Sequence, residues 1–458
     1  MTDDFDAIII GAGQAGPPLA GRLTSAGMRV ALIERHLIGG TCVNTGCTPT
    51  KALVASARVA HMARRAAEFG VEIGGDISVS MRAVSARANE IAAGSRQRNE
   101  DWLSGMARLT LIRGHARFTS AQTVSVNGMS LSARRIFINT GGRATIPNMP
   151  GVSDVSLLTN SGMMQVDVLP RHLVIVGGSY IGLEFAQMYR RFGADVTLVE
   201  KGPRLVSRED EDISAALHDI LEAEGIAIRT HAECISFQPA GDDIHVALSC
   251  TSGAPELTAS HVLLAVGRTP NTHDLGLDKA GITVDKRSFI TVGEDLQTSV
   301  DGVYALGDCN GRGAFTHTAY NDFEIVAANL LDGECRKVSD RVPGYALYTD
   351  PPLGRAGMTE REARAAGKRL LIGTRPMARI GRAIEKSETQ GFMKIIADAD
   401  TQRILGAAIL GVEGDEAIHG ILNAMNADVP YTTLQHSVPV HPTVSELIPT
   451  VLESLAPA

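Results

Sequence analysis

The chain has 458 residues, is 44% hydrophobic and 21% charged, and carries a net charge of −8. That length supports two to four domains with sizeable cores, and an acidic balance without a long basic run excludes a nucleic-acid surface. No apolar run nears the roughly 20 residues of a bilayer span, and the opening MTDDFDAIII is acidic where a signal peptide is basic, so a cytoplasmic protein with no membrane partner is expected.

Asp6 to Gly13 (DAIIIGAG) reads as a strand entering a tight turn. Its continuous apolar run suits a parallel strand covered on both faces. A helix should start near Gln14, with Pro17 and Pro18 in its first turn, where the missing N–H is unneeded. Gly27 should end that helix, and Met28 to Glu34 should form the second strand. In this context Gly11, Gly13 and Gly16 make a dinucleotide fingerprint. The first permits the turn, the second lets backbone approach a pyrophosphate, and the third lets helix pack on strand, while Glu34 can hold a ribose hydroxyl. The plainer alternative is a tight turn without a ligand.

GGTCVNTGCTPTK, Gly39 to Lys51, follows at once and carries Cys42 and Cys47. In a cytosolic chain, such a pair points to redox or metal chemistry rather than a structural staple. One thiol should lie near a helix start, where free N–H groups favour a thiolate. Such a pair can cycle between disulfide and dithiol; inert core thiols and a metal clip are the alternatives. Ser56 to Gln97 should be mostly helical and Arg108 to Asn139 should form short strands. Ile138 to Gly151 has the Gly/Pro density of a domain crossing.

The opening design then returns. Leu173 to Gly178 reads as a strand, Tyr180 to Phe192 as a helix and Asp195 to Glu200 as a strand. Gly11 to Glu34 and Gly177 to Glu200 both span 23 positions. Gly177, Gly178, Tyr180 and Gly182 line the second turn, with Ser179 at the middle-glycine position. Glu200 should repel a 2′-phosphate and favour NAD, although Lys201 and Arg204 could soften that repulsion and leave NADP as the alternative. Two such folds imply two cofactors, and a dithiol beside the first suggests a flavin there.

Ala265 to Thr272 looks like a second crossing, and from about Tyr345 strands and then helices should form a third domain. Cys234, Cys250, Cys309 and Cys335 read as isolated buried or half-buried thiols, and no cysteine/histidine spacing suggests a metal site. Near the end, His441 is followed five positions later by Glu446. An imidazole held by a carboxylate is a general acid/base arrangement; a surface or core histidine is the alternative.

Together these residues resemble the flavoprotein disulfide reductases, the group of dihydrolipoamide dehydrogenase, glutathione reductase and mercuric reductase. GGTCVNTGCTPTK is similar to the family's redox-active disulfide motif, YALGDCN to its second flavin motif, INTGG and AVGRTPN to its crossings, and HPTVSE to its C-terminal signature. The resemblance implies an α/β fold with two Rossmann-like dinucleotide-binding domains, for FAD and NAD(P), plus a C-terminal α+β dimerisation domain. The implied bounds are 1–148 and 269–340 for the FAD-binding parts, 149–268 for the NAD(P) domain and 341–458 for the dimerisation domain.

The resemblance also implies roles. Cys42 is the interchange thiol and Cys47 the charge-transfer thiol, and Lys51 lies near the flavin and pairs with Glu184. Ala116, Gly141 and Asp308 serve FAD, with Asp308 on the ribityl chain, and Gly267 serves NAD. His441, held by Glu446, comes from the partner subunit of a homodimer. Electrons pass from NADH through the flavin to the Cys42–Cys47 disulfide and on to a disulfide substrate, or in reverse for dihydrolipoamide.

The first reading is a dihydrolipoamide dehydrogenase-type enzyme acting on a lipoyl group, since HPTVSE fits that chemistry and Glu200 disfavours an NADPH-dependent glutathione reductase. The second is a mercuric-reductase-like reductase of metals or oxidants. GAFTHTAYND and YTDPPLGRAGMTE look closer to those relatives, but no cysteine follows Cys335 to deliver a metal. A third reading, a dithiol that binds or senses soft metals, leaves the His441–Glu446 pair without a use.

Overall fold

A computed structural model describes residues 2–249 and 253–458. The chain opens on β1 (Thr2–Ile10), in which Ala7, Ile8 and Ile9 are fully buried. β1 runs parallel to β2 (Val30–Glu34), with Ile10 opposite Ile33, and parallel to the strand Met129–Ile138, with Ile10 opposite Ile138. A run without a polar face fits a strand covered on both sides, and each isoleucine removed from water contributes about 1.5–3 kcal/mol. The strand Val303–Ala305 joins this sheet parallel to Met129–Ile138, so two distant stretches of chain build one layer.

Between the first two strands, α1 (Gly16–Ser25) starts two residues later than the spacing predicts, because residues 13–15 complete the turn and Ala15 is the N-cap. Pro17 and Pro18 do fall in its first turn. The dithiol segment then forms a short helical turn, Gly40–Asn44, and α2 (Cys47–Arg64), whose first residue is Cys47.

The second copy comprises β3 (His172–Val176), α3 (Tyr180–Phe192) and β4 (Asp195–Val199). Its parallel sheet runs Ala227–Arg229, β4, β3, His261–Leu264. A three-stranded antiparallel sheet spanning 233–259 packs Ile235, Phe237 and Val246 against Val174 and Val176. The two crossings pair directly, Gly142–Ala144 antiparallel to Arg268–Pro270.

The turns of the two copies are built alike. Gly11 has φ +107 and Gly177 φ +120. A Cβ on Gly11 would stand 2.2 Å from the Asn139 carbonyl oxygen, and one on Gly177 2.4 Å from that of Ala265. A Cβ on Gly16 or Gly182 would strike the carbonyl of Gly11 or Gly177, at 2.3 and 1.9 Å. The middle position is looser. Around Gly13 the nearest atom to a Cβ would be Asn139 Nδ2 at 3.2 Å, and Ser179, its counterpart, is exposed; a serine fits there.

After α4 (Thr316–Ala327), the chain builds a six-stranded antiparallel sheet starting at Gly344–Leu347. The expected order of strands followed by helices is not what forms. The helix Glu360–Ala365, opened by a Thr359–Glu362 capping box, already interrupts the strands. Of the isolated cysteines, Cys309 is buried, but Cys335 is exposed, because it sits in a surface link between two helical turns. Cys250 and the side chain of Cys234 lie outside the described residues.

Gly11→Ala combines a left-handed φ with a backbone clash and should cost roughly 2–3 kcal/mol or more. Gly70→Ala, at φ +73 with open space around it, should cost only about 1 kcal/mol. Thermal unfolding of the two variants, with bound flavin measured alongside, checks the difference.

Candidate active site

The first residues of α2 and α3, Cys47 and Tyr180, line one cleft of about 2460 Å³. Along one arm lie Gly11, Gly13, Glu34, Ala116, Gly141 and Asp308. Along the other lie Gly177, Gly178, Glu200 and Gly267. Cys42, Lys51 and Glu184 line the same cleft. Gly16 and Gly182 stand behind it, packing each helix on its turn.

Both strand-tip carboxylates are fixed in the same way. Glu34 accepts from the Ala12 N–H at 2.8 Å and the His36 N–H at 2.7 Å. Glu200 accepts from the Gly178 N–H at 2.7 Å and the Gly202 N–H at 2.6 Å. Each arm therefore offers a turn opened by a left-handed glycine, a helix N-terminus for a diphosphate and an oriented carboxylate for a ribose. These donor sets fit two dinucleotides. Arg204 does not face the second arm, since its guanidinium donates to Glu211 at 2.7 Å; Lys201 and Arg208 are the cations that do. Asp308 accepts from Arg268 Nε at 3.1 Å, joining the second flavin motif to the second crossing.

The two cysteines are free thiols. The chain between them folds back tightly: a Cβ on Gly46 would meet the Thr41 carbonyl at 2.8 Å. A hydrogen bond from Cys42 holds the Cys47 thiol down, to about 6, against the opposing effect of burial. The Thr316 hydroxyl, 3.3 Å away at the start of α4, and the Lys51 charge help. Cys42 is pushed well above the ordinary thiol range by that same hydrogen bond, by burial and by the charge on Cys47. The pair is thus asymmetric, with the thiolate on Cys47 and the proton on Cys42.

Lys51 Nζ reaches both oxygens of Glu184, at 2.8 and 3.1 Å, and so ties α2 to α3. The Tyr348 N–H donates to Glu184 at 3.0 Å, and its ring lies 4.6 Å from Lys51 Nζ. His441 Nδ1 lies 2.8 Å from Glu446 Oε2. Its side chain is 82% exposed and does not line the cleft of its own chain. Glu446 sits in a 3-10 turn, Ser445–Leu447, directly before a helix. Thr316 and Tyr348 were not singled out by the sequence. Both lie in stretches marked above, GAFTHTAYND and YTDPPLGRAGMTE, but no spacing rule connects either to Cys47.

Residues 5–322 match the family model described as pyridine nucleotide-disulphide oxidoreductase, and residues 343–452 match the dimerisation domain of that family. The chain is 37% identical over 453 residues to the probable pyridine nucleotide-disulfide oxidoreductase RclA of Escherichia coli K12, covering 96% of this chain and 97% of that one. It is 33% identical over 457 residues to a dihydrolipoyl dehydrogenase of Thermus scotoductus, covering 98% and 97%. Against a mercuric reductase of Bacillus cereus it is 30% identical over 445 residues, covering 97% of this chain and 70% of the relative. Among solved structures, the Cu(II) complex of the HOCl-induced flavoprotein disulfide reductase RclA from E. coli superposes with a TM-score of 0.89 at 34% identity, covering 99% of both chains.

Reduced protein should gain thiolate absorbance and alkylation rate as pH rises through about 6, when Cys47 loses its proton. Cys42→Ala removes the principal donor and should move that midpoint up towards the ordinary thiol range of about 8.5. Thr316→Val should move it the same way by less. A midpoint unchanged in Cys42→Ala would contradict the assignment.

Proposed function

Because the chain belongs to the pyridine nucleotide-disulphide oxidoreductase family, we propose that it carries electrons from NADH to a thiol-reactive acceptor through the Cys42–Cys47 disulfide. The observation that carries this reading is the asymmetric thiol pair beside Lys51 and Glu184. The family's cofactors are FAD and a pyridine nucleotide. NADH is preferred over NADPH because the carboxylate of Glu200 is fixed at the strand tip, where it repels a 2′-phosphate. We take 1–148 with 269–340, 149–268 and 341–458 as the working domains, a homodimer as the active form and the cytoplasm as its setting.

FAD, which Gly11, Gly13, Glu34 and Asp308 would hold, would supply hydride-accepting and two-electron disulfide-reducing chemistry when bound. The Lys51–Glu184 pair joins the two nucleotide arms and serves the pyridine-nucleotide step, and the Lys51 charge is a minor cause of the lowered Cys47 thiol. Cys42 holds its proton firmly, so it needs a base before it can act. His441 of the partner subunit, with Nδ1 held by its glutamate, serves as that base.

With a disulfide acceptor, the Cys42 sulfur attacks one acceptor sulfur and the acceptor S–S bond breaks. The leaving sulfur takes its proton from His441 of the partner subunit. The Cys47 thiolate then attacks the Cys42 sulfur, closing the Cys42–Cys47 disulfide and expelling the second thiolate, which is protonated from solvent. The acceptor gains two electrons and the dithiol loses two.

A lipoyl-type disulfide is the first acceptor to consider, since this sequence of steps needs the acid/base pair. A metal ion or an oxidant is the second. It is favoured by the similarity to RclA, a protein described as HOCl-induced and solved in a Cu(II) complex.

Steady-state assays should compare NAD with dihydrolipoamide against NADH with lipoamide, oxidised glutathione, Cu(II), Hg(II) and hypochlorite-derived oxidants. NADH should give the lower KM, and at least one acceptor should turn over at a kcat of order 1–10³ s⁻¹. Cys42→Ser should lose acceptor turnover by at least about a thousandfold while NADH still bleaches the flavin. Full disulfide turnover by Cys42→Ser would defeat the mechanism.

A further inference from the structure

Behind the Lys51–Glu184 pair lies a second layer of charge. Seven residues on from Lys51 in α2 stands Arg58, and seven on from Glu184 in α3 stands Arg191. Both guanidinium groups grip one carboxylate, that of Asp350. Arg58 binds Oδ1, and Arg191 binds Oδ2 at 2.5 Å. Asp350 belongs to neither helix. It lies in the link between the strands Gly344–Leu347 and Leu353–Gly357 of the C-terminal sheet. It is 9% exposed, Arg191 is 7% exposed, and Asp350 does not line the cleft.

The backbone around Asp350 follows α3 as well. The Asp350 N–H donates to Gln187 Oε1 at 2.8 Å, and its carbonyl accepts from Gln187 Nε2 at 2.8 Å. Two residues earlier, the Tyr348 N–H bonds Glu184 and the Tyr348 ring lies under Lys51. One short strip therefore holds α3 at residues 184, 187 and 191, and reaches α2 at residues 51 and 58. Glu224 at 2.7 Å and Glu388 at 2.5 Å complete the shells of Arg191 and Arg58. Burial alone would raise the Asp350 carboxyl, but Arg191 and Arg58 outweigh it and hold it below the usual range.

Two contact points seven residues apart are about 10 Å apart along a helix. A helix pair joined only at Lys51–Glu184 can rock about that joint, because lysine is a compact charge on a flexible stem. The helices also share a packed core, and Arg64 donates to the Arg191 carbonyl at 2.5 Å; Asp350 adds a charged joint that restricts the rocking further. We propose that Asp350 is a positioning residue: by clamping Arg58 of α2 to Arg191 of α3, it fixes the Lys51–Glu184 pair and so sets the rate of the pyridine-nucleotide step. The proposal rests on the reading that Lys51 and Glu184 serve that step.

The test is a double-mutant cycle in the holoenzyme, followed by anaerobic rapid mixing. Flavin bleaching by NADH reports the nucleotide half-reaction, and mixing pre-reduced enzyme with acceptor reports the other half. Asp350→Asn keeps the backbone bonds to Gln187 but leaves the buried Arg191 and the half-exposed Arg58 without their shared counter-charge. It should slow the NADH half-reaction about tenfold, leave the acceptor half within about twofold, and alter the absorption spectrum of the oxidised flavin. In a Glu184→Gln background, Asp350→Asn should add less than about twofold, because both changes act through one pair. Asp350→Glu should restore part of the rate. Should Asp350→Asn fail to fold, Arg58→Gln, at the more exposed corner of the clamp, carries the same test.

Additive losses, equal slowing of both half-reactions, or a wild-type NADH half-reaction in Asp350→Asn would each overturn the proposal. If Glu184→Gln itself leaves the NADH half-reaction unchanged, the reading of the site fails, and the inference with it.

Discussion

The ion pair between Lys51 and Glu184 is the joint on which the site depends. Lys51 lies one turn into the helix that begins with Cys47, and Glu184 one turn into the helix that follows the second glycine turn. The joint therefore sets a dithiol against a nucleotide turn across one cleft. Glu184 is 5% exposed and accepts three hydrogen bonds, two from Lys51 Nζ and one from the Tyr348 N–H. An ion pair with one partner buried and the other a third exposed contributes little net stability. Its value here is geometric. It makes one relative placement of the two helices far cheaper than its neighbours.

The two arms that meet at this joint use the same small set of devices. In each, a left-handed glycine brings backbone within reach of a neighbouring carbonyl, a second glycine lets the helix close on the turn, and a glutamate bonds back to the turn. This is why so much could be read in advance. Local geometry of this kind constrains residue type at fixed spacing, so the 23-residue offset and the exact bounds of the helix Tyr180–Phe192 follow from the sequence. The turn at residues 13–15 did not, because a helix start there depends on how closely Gly16 packs on Gly11.

Contacts between distant stretches were the illegible part. Thr316 touches Cys47 across 269 positions, and Asp350 reaches Arg191 across 159. Neither residue has a chemistry that marks it. A threonine at a helix start reads as a cap, and an aspartate before proline reads as a turn former. Their roles arise only when α4 and the C-terminal sheet close on α2 and α3. The same holds for the aromatic wall: Phe315 stacks on Tyr345 at 5.3 Å and on His317 at 5.4 Å, while Tyr180 tilts against Tyr345 at 5.5 Å. No periodicity in the sequence joins those four positions.

The asymmetry of the thiols is what makes a separate acid/base pair necessary in the proposed mechanism. The hydrogen bond that lowers Cys47 is the one that raises Cys42, so stabilising a thiolate towards one side of the cleft silences the thiol on the other. The acid/base pair able to release that proton, His441 with Glu446, faces solvent on its own subunit and is absent from that subunit's cleft. Next to it, Val438 and Val440 are 96% and 77% exposed, an apolar strip that a second copy would cover. On the proposed mechanism, each chain would hold the thiol pair and the partner would supply the acid/base pair.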